Sequence, residues 1–412
     1  LTTPLDLAFV RARFPAFAEP SLQGQAFFEN AGGSYACAPV IARLDEYYRR
    51  LKLQPYYPTA ASTEAGEWMD ASYTRLAEYL GVPGDWLHLG PSTSQNSYVL
   101  AQAFGQWLQA GDEIVVTNQD HEANSGAWRR LATRGVRVRE WQVEPDSGAL
   151  HPEALWPLVN ERTRLVAFTQ CSNIVGAINP VAAITARLRA AGVLSVVDGV
   201  SYAPHGFPDL AALGADIYLF SLYKTFGPHL GLMALSPTLV QRLPNEGHFF
   251  NEGVLRKRLL PAGPDHAQIA AARGIAEYFD ALDAHHHPGA APAGRAGRVR
   301  QLLRGTELAL LPPLLDYLAQ RKDIRLIGPA NAGERAATVS FLPLRQEPGA
   351  VVRALAARGV MAASGHFYAL RLLQAMGLDP ARGVVRLSFV HYTSAEDVQL
   401  LLRALDAVLG AD

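Results

Sequence analysis

The stretch SLYKTFGPHLG, residues 221–231, is where the fold and the chemistry of this chain first become readable. It grows out of an apolar run, IYLFSL at 217–222, and then turns on Gly227, Pro228 and Gly231. The run is short and rich in Ile, Leu and Phe, which predicts a buried strand. A lysine just past such a strand is costly if buried without a partner. Taken alone, Lys224 reads as a surface lysine at a strand end. The sharper reading is a lysine whose amine, its pKa depressed, attacks a carbonyl to form a Schiff base. The chain has only four lysines, at 52, 224, 257 and 322, so a tunable amine has few candidates.

Working outward, LSVVDGV ends a second apolar run in Asp198 and Gly199. An acid there either hydrogen-bonds loop amides or pairs with a pyridinium nitrogen, whose proton a carboxylate would hold. Further upstream, LGPSTSQNSYVL at 89–100 turns on Gly90 and Pro91 and opens a helix with Ser92, Thr93 and Ser94. Free amides and hydroxyls at a helix N-terminus bind phosphate, although an ordinary Ser/Thr cap explains the motif as well. VTNQDHEANSGAW at 116–128 sets Asp120, His121 and Asn124 after a predicted strand. His121 could stack on a planar ring or exchange protons beside it, or be a plain loop residue. AFTQCSNIVGAINPV at 167–181 sets Ser172 and Asn173 after another, with Asn173 either a turn former or a hydrogen-bond partner of a phenolic oxygen. Each motif is weak alone. All five follow apolar strands of one presumed sheet.

Those strands are predicted at Leu87–Leu89, Glu113–Val116, Val136–Val143, Leu165–Thr169, Leu194–Asp198, Ile217–Leu222 and Leu232–Leu235. Near-continuous apolar strands alternating with helical segments predict an α/β fold whose seven-stranded sheet is mostly parallel and covered on both faces. Ligands in such sheets bind beyond the carboxyl ends of the strands, where the polar motifs fall. After them, HHHPGAAPAGRAG at 285–297 reads as an exposed loop. The three consecutive histidines are expected to be solvated rather than a metal site, and no metal is expected elsewhere. Beyond the loop, strands at Arg325–Ile327, Ala337–Leu342 and Val385–Phe389 and helices around Gly349–Arg358 and Ser394–Leu409 predict a smaller C-terminal α+β domain. The expected division is an N-terminal segment, 1–20, able to pack on the small domain, a large domain over 21–280, and a small domain over 281–412.

Composition narrows the classes. The 412 residues include 37 basic and 38 acidic ones, a net charge of -1, which argues against a nucleic-acid or membrane-surface binder. Two cysteines, Cys37 and Cys171, are too few for a disulfide framework and fit a cytoplasmic protein. The N-terminal LTTPLDLAFVRARF lacks the pattern of a signal peptide, and no apolar window is long enough to predict a membrane span. No GxGxxG follows an early strand, which excludes the common dinucleotide fingerprint.

Together the segments DHEAN at 120–124, SNIVGAINPV at 172–181, DGVSYAPH at 198–205 and SLYKTFGPHLG resemble the class V aminotransferase group, whose best-known members are the cysteine desulfurases. The resemblance runs from FFENAGGS at 27–34 to the C-terminal helix. It implies a fold type I enzyme dependent on pyridoxal 5'-phosphate, acting on a small amino-acid substrate, and a homodimer. It implies that Lys224 is the Schiff-base lysine, Asp198 the partner of the ring nitrogen and His121 the ring-stacking histidine. Asn173 matches a residue near the cofactor hydroxyl and the substrate carboxylate, while Thr93, Ser94 and Ser221 match phosphate contacts. Arg386, in VVRLSF, matches the arginine that holds the substrate carboxylate, a bond Arg forms bidentately.

Several positions depart from the family pattern. Ser201 stands where Gln is common after the Asp-Gly pair, Tyr223 where His often precedes the lysine, and Gly263-Pro264 where a Gly-Thr pair is usual. Ser201 and Tyr223 are therefore expected cofactor neighbours of a different kind. In ASGHFYALRL at 363–372, Tyr368 stands about where desulfurases carry a mobile cysteine, so His366, Tyr368 and Tyr223 are expected to shape a different substrate pocket. The expected chemistry is C–S or other β-elimination, or transamination, without a persulfide on that loop. Epimerisation, or a non-catalytic binding role on the same fold, stands as the alternative.

Overall fold

The computed structural model describes residues 4–410. Its large sheet has seven strands: β1 Leu87–Gly90, β2 Glu113–Thr117, β3 Arg137–Trp141, β4 Thr163–Thr169, β5 Leu194–Asp198, β6 Ile217–Ser221 and β7 Gly231–Leu235. They lie in the order β1-β7-β6-β5-β4-β2-β3. β3, β2, β4, β5 and β6 pair in parallel, and β7 runs antiparallel to both β6 and β1. The predicted strands agree with these within a residue or two, except that β3 is shorter at both ends.

The sequence alternation explains why the sheet is covered on both faces. Along β4, Val166 and Phe168 join one core while Leu165 and Ala167 join another. β6 does the same, with Tyr218 and Phe220 on the first face and Ile217 and Leu219 on the second. The first face is covered by helix α1, Ala60–Leu80, and the second by α2, Thr93–Trp107, and α3, Glu122–Arg129. Each buried Leu, Ile, Val or Phe contributes about 1.5–3 kcal/mol, so the face-to-face alternation fixes both register and layering. Helix α4, His266–His286, packs beside α1 on the first face.

A second sheet holds β8 Ile324–Ile327, β9 Thr338–Pro343, β10 Ala363–Gly365 and β11 Val384–Ser388, in the order β10-β11-β9-β8 and antiparallel throughout. The sequence did not predict β10, whose three residues are all partly exposed. Nor did it predict helix α5, Arg295–Gln320. α5 bridges the two units: Val299, Leu302 and Leu303 pack in the first core, Leu311, Leu314 and Leu318 in the core of the small sheet. Pro312 and Pro313 lie inside it on the exposed side, so the carbonyls they leave unbonded, at exposed Leu308 and Ala309, face water. Ala26 and Phe28 also join the small-sheet core.

The expected loop at 285–297 is corrected by these boundaries. His285 and His286 form the last turn of α4, and Arg295 to Gly297 begin α5. His286 is buried, its Nε2 accepting from the Asp6 amide at 2.8 Å. His285 stacks on Phe9 at 3.9 Å and pairs with Asp6. Of the three, His286 is withdrawn from solvent, and together with His285, which stays exposed, it fastens the N-terminal segment, while His287 pairs with Asp283. Arg11 of that segment also pairs with Asp397, at the start of the C-terminal helix α6, Ala395–Leu409. Ser394 and Asp397 form a capping box there.

Candidate active site

Five strand ends converge on one cavity. It is lined by Thr93 and Ser94 after β1, His121 after β2, Thr169 and Asn173 at and beyond the end of β4, Asp198 at the end of β5, and Ser221, Tyr223 and Lys224 after β6. Ser201 lines it too. All nine residues expected to contact a cofactor thus share one cavity. His366 and Tyr368 do not line it. They sit on the loop after β10, with the Tyr368 ring 5.2 Å from that of His121 and the side chain largely exposed.

Local sequence explains each position. Ser92 caps α2 by accepting from Gln95 N at 3.1 Å, which leaves the Thr93 and Ser94 hydroxyls at the helix mouth. Thr93 Oγ1 lies 2.8 Å from Ser221 Oγ, tying α2 to β6. A Cβ at Gly231 would meet Ser92 C at 2.2 Å, so the close approach of β7 to this turn requires glycine. His121 caps α3, its Nδ1 accepting from Ala123 N at 3.1 Å. Beyond Lys224, Phe226 holds a positive φ of 66°, a turn usually left to glycine.

The electrostatics are those of a desolvated site. Burial, with Arg386 adding to it, pulls Lys224 down to about 8, against the opposing pull of Asp198 and Glu29. Its amine makes no hydrogen bond or ion pair with any described residue. Burial pushes Asp198 up to about 6, partly offset by the Val200 amide, which donates to Oδ1 at 2.8 Å, and by Lys224. Burial, then Lys224 and Arg386, pulls His121 down to about 3, so its ring is neutral. Behind it, burial raises Asp120 to about 7, opposed by hydrogen bonds from Asn124 and Thr117. Asn173 donates from Nδ2 to Phe367 O at 2.9 Å, while its buried Oδ1 has no partner among the described residues. Tyr223 stacks face to face on His229 at 4.5 Å, and burial raises its pKa.

Arg386 adjoins the cavity through Asn173. It is buried on β11, donates from Nη1 to Asn173 O at 3.2 Å, and lies 3.8 Å over the Phe367 ring. Its Nη2 is 3.5 Å from Glu29 Oε1, and burial draws it down to about 10. Glu29 and Phe367 were not singled out from the sequence. FFENAGGS contains the only trace of the first, an acid in an otherwise apolar and small-residue stretch. Cys171, remote from the lysine in sequence, also lines the cavity. Its thiol contacts Gly176 O at 3.2 Å, and burial pushes it up to about 12.

This architecture is that of the cysteine desulfurases. The structure of a cysteine desulfurase from Thermococcus onnurineus superposes with a TM-score of 0.84 at 24% identity, over 98% of each chain. The Aminotransferase class-V pattern matches residues 26–249 and 304–401. The chain is 35% identical to the aminotransferase-like protein FGM3 of Gibberella zeae, over 97% of this chain and 98% of that one. It is 28% identical to a probable cysteine desulfurase of Pseudomonas putida, over 96% of both. The chain therefore belongs to the class V aminotransferase family, whose members depend on pyridoxal 5'-phosphate. The donor set fits that group. Hydroxyls at a helix N-terminus suit a phosphate, a buried carboxylate suits a protonated ring nitrogen, an orphaned amide oxygen suits a phenol, and an unpartnered amine suits an aldehyde. Among the described residues no helix is long and apolar enough to cross a membrane.

Proposed function

We propose that this protein acts on an amino acid by removing its α-proton, then either expels a β-substituent, as in C–S cleavage, or transfers the amino group. Pyridoxal 5'-phosphate, when bound, supplies an aldehyde that takes up the substrate amine and a ring that withdraws the electron pair left at the α-carbon. The chain's own residues do the rest. Lys224 would hold the cofactor through its Nζ and, once freed, would take and return the α-proton. Its lowered pKa suits both tasks, since it raises the fraction of neutral amine, the form that is nucleophile and base, towards neutral pH. Asp198 would keep a proton on the ring nitrogen, and neutral His121 would stack on the ring. Thr93, Ser94 and Ser221 would hold the phosphate, with Ser201 and Tyr223 lining the same cavity. Asn173 would bind the ring hydroxyl, and Arg386 the substrate carboxylate.

The observation that carries this reading is the Lys224 amine, without a hydrogen-bond or ion-pair partner among the described residues, in a cavity it shares with a buried carboxylate and a neutral imidazole. Borohydride reduction of the holoenzyme, followed by peptide mass spectrometry, tests it. The cofactor is expected on the peptide containing Lys224; its presence on Lys52, Lys257 or Lys322, or on none, would refute the role.

No persulfide on the loop after β10 is part of the reading. Residues 363–372 contain no cysteine, and the Cys171 thiol is buried and kept protonated. Turnover without an added keto acid supports elimination; turnover that requires one supports transamination. A homodimer is also proposed. Exposed Phe249 and Phe250 support it, and sedimentation at working concentration tests it. The two cysteines, both free, support action in the cytoplasm.

A further inference from the structure

We propose that Glu29 is a resident counter-ion of Arg386, which the carboxylate of an incoming amino acid must displace. This rests on the reading of Arg386 as the carboxylate-binding group. A buried guanidinium needs a neighbouring negative charge, and among the described residues Glu29 is the carboxylate within ion-pair distance. The contact is single and long, 3.5 Å from Nη2 to Oε1. Nη1 is engaged by Asn173 O, and one face of the guanidinium lies over the Phe367 ring. Nε, buried, has no hydrogen-bond partner among the described residues. What Arg386 keeps in reserve is therefore the edge formed by Nε and Nη2, which binds a carboxylate side-on with two parallel bonds. Glu29 occupies half of that edge.

The backbone reserves a place for this arrangement. A Cβ at Gly32 would lie 2.1 Å from Glu29 Oε1 and 2.5 Å from Oε2. Gly32 does not adopt a positive φ; its lack of a side chain leaves room for the Glu29 carboxylate in this position, and a Cβ there would press that flexible group to move. The Glu29 side chain is one-third exposed, which gives it a route to solvent when displaced. Exchange of one carboxylate for another leaves the charge of the buried pocket unchanged. It also makes a bare carboxylate a weak ligand. A compound that brings an amine to the Lys224 side as well gains what a simple acid cannot.

Calorimetric titration of the holoenzyme with propionate tests the proposal, with propanamide as its neutral isostere. Glu29→Gln is expected to bind propionate about tenfold more tightly than the wild type. Its affinity for propanamide is expected to stay the same, and Arg386→Ala is expected to lose propionate binding. Glu29→Asp, which retracts the charge by one methylene, is expected to fall between wild type and Glu29→Gln and stands in if that variant fails to fold. With any amino acid that the enzyme turns over, Glu29→Gln is expected to lower KM more than it changes kcat. Unchanged or weaker propionate binding in both Glu29 variants, with binding lost in Arg386→Ala, overturns the counter-ion role alone. Equal tightening towards propanamide does the same, because it reports space rather than charge. Propionate binding that survives Arg386→Ala overturns the underlying reading of Arg386. Absence of propionate binding to every one of these proteins overturns both.

Discussion

At Lys224 the amine has no hydrogen-bond or ion-pair partner among the described residues, only the Tyr223 ring 5.8 Å away, and the nearby Asp198 side chain accepts one hydrogen bond, whereas the Arg386 guanidinium is already held by Asn173, Glu29 and, at 3.8 Å, the Phe367 ring. Both regions are buried, and both hold groups whose charge burial disfavours. On the proposed reading, one is left open for a cofactor to complete, and the other is closed by the protein itself, so that a ligand must compete. The difference separates two kinds of binding. Cofactor capture adds contacts where there were none; carboxylate recognition substitutes one contact for another.

The sharpest way to break this contrast lies at the open end. Lys224→Ala is expected to lower turnover by at least about a thousandfold in steady-state assays. A residual rate above a tenth would remove the amine from the chemistry. At the closed end, Arg386→Ala is expected to raise KM for carboxylate-bearing substrates about thirtyfold. An unchanged KM would mean that the acid group is held elsewhere. The pH dependence probes the open end again. Lys224 is lowered to about 8, so below that pH its amine carries a proton and has no lone pair for the aldehyde. Uptake of pyridoxal 5'-phosphate by the apoprotein, followed by visible absorbance, should therefore rise through pH 8. At pH 7 it should stand about tenfold below its plateau. A profile flat over this range would contradict the depressed value. The smallest effect belongs to Phe367→Ala, which removes the ring under Arg386. It is expected to change the KM for such substrates about two- to fivefold, the scale of one cation–π contact. No change would mean that the ring merely fills space.

Much of this was legible in the sequence because the large sheet writes itself in short apolar runs. Leu194–Asp198 is predicted to the residue, and the polar groups that follow each run fall at the strand ends by geometry alone. The small-domain contribution was harder to read. Glu29 precedes the large sheet yet meets Arg386 on β11, 357 residues away, and no local pattern announces such a pairing. Phe367 follows a three-residue strand too short to leave a periodicity. The 285–297 segment misled for a different reason. Its Pro, Gly and Ala suggest a loop, but His285 and His286 are drawn into α4 by contacts with Asp6 and Phe9 near the other end of the chain. Pro312 and Pro313 would argue against a long helix, and only their exposed placement reconciles them with α5.

The loop that carries Tyr368 has a consequence for engineering. Phe367 and Tyr368 hold positive φ values of 47° and 58° in succession, a conformation that L-residues with bulky side chains rarely take. The segment is stitched down twice, by Asn173 Nδ2 to Phe367 O at 2.9 Å and by Glu122 N to Tyr368 O at 2.8 Å. A thiol grafted at 368 would thus be moored rather than swinging. Conversion of this scaffold into a sulfur carrier calls for cutting those two stitches before any new nucleophile is installed.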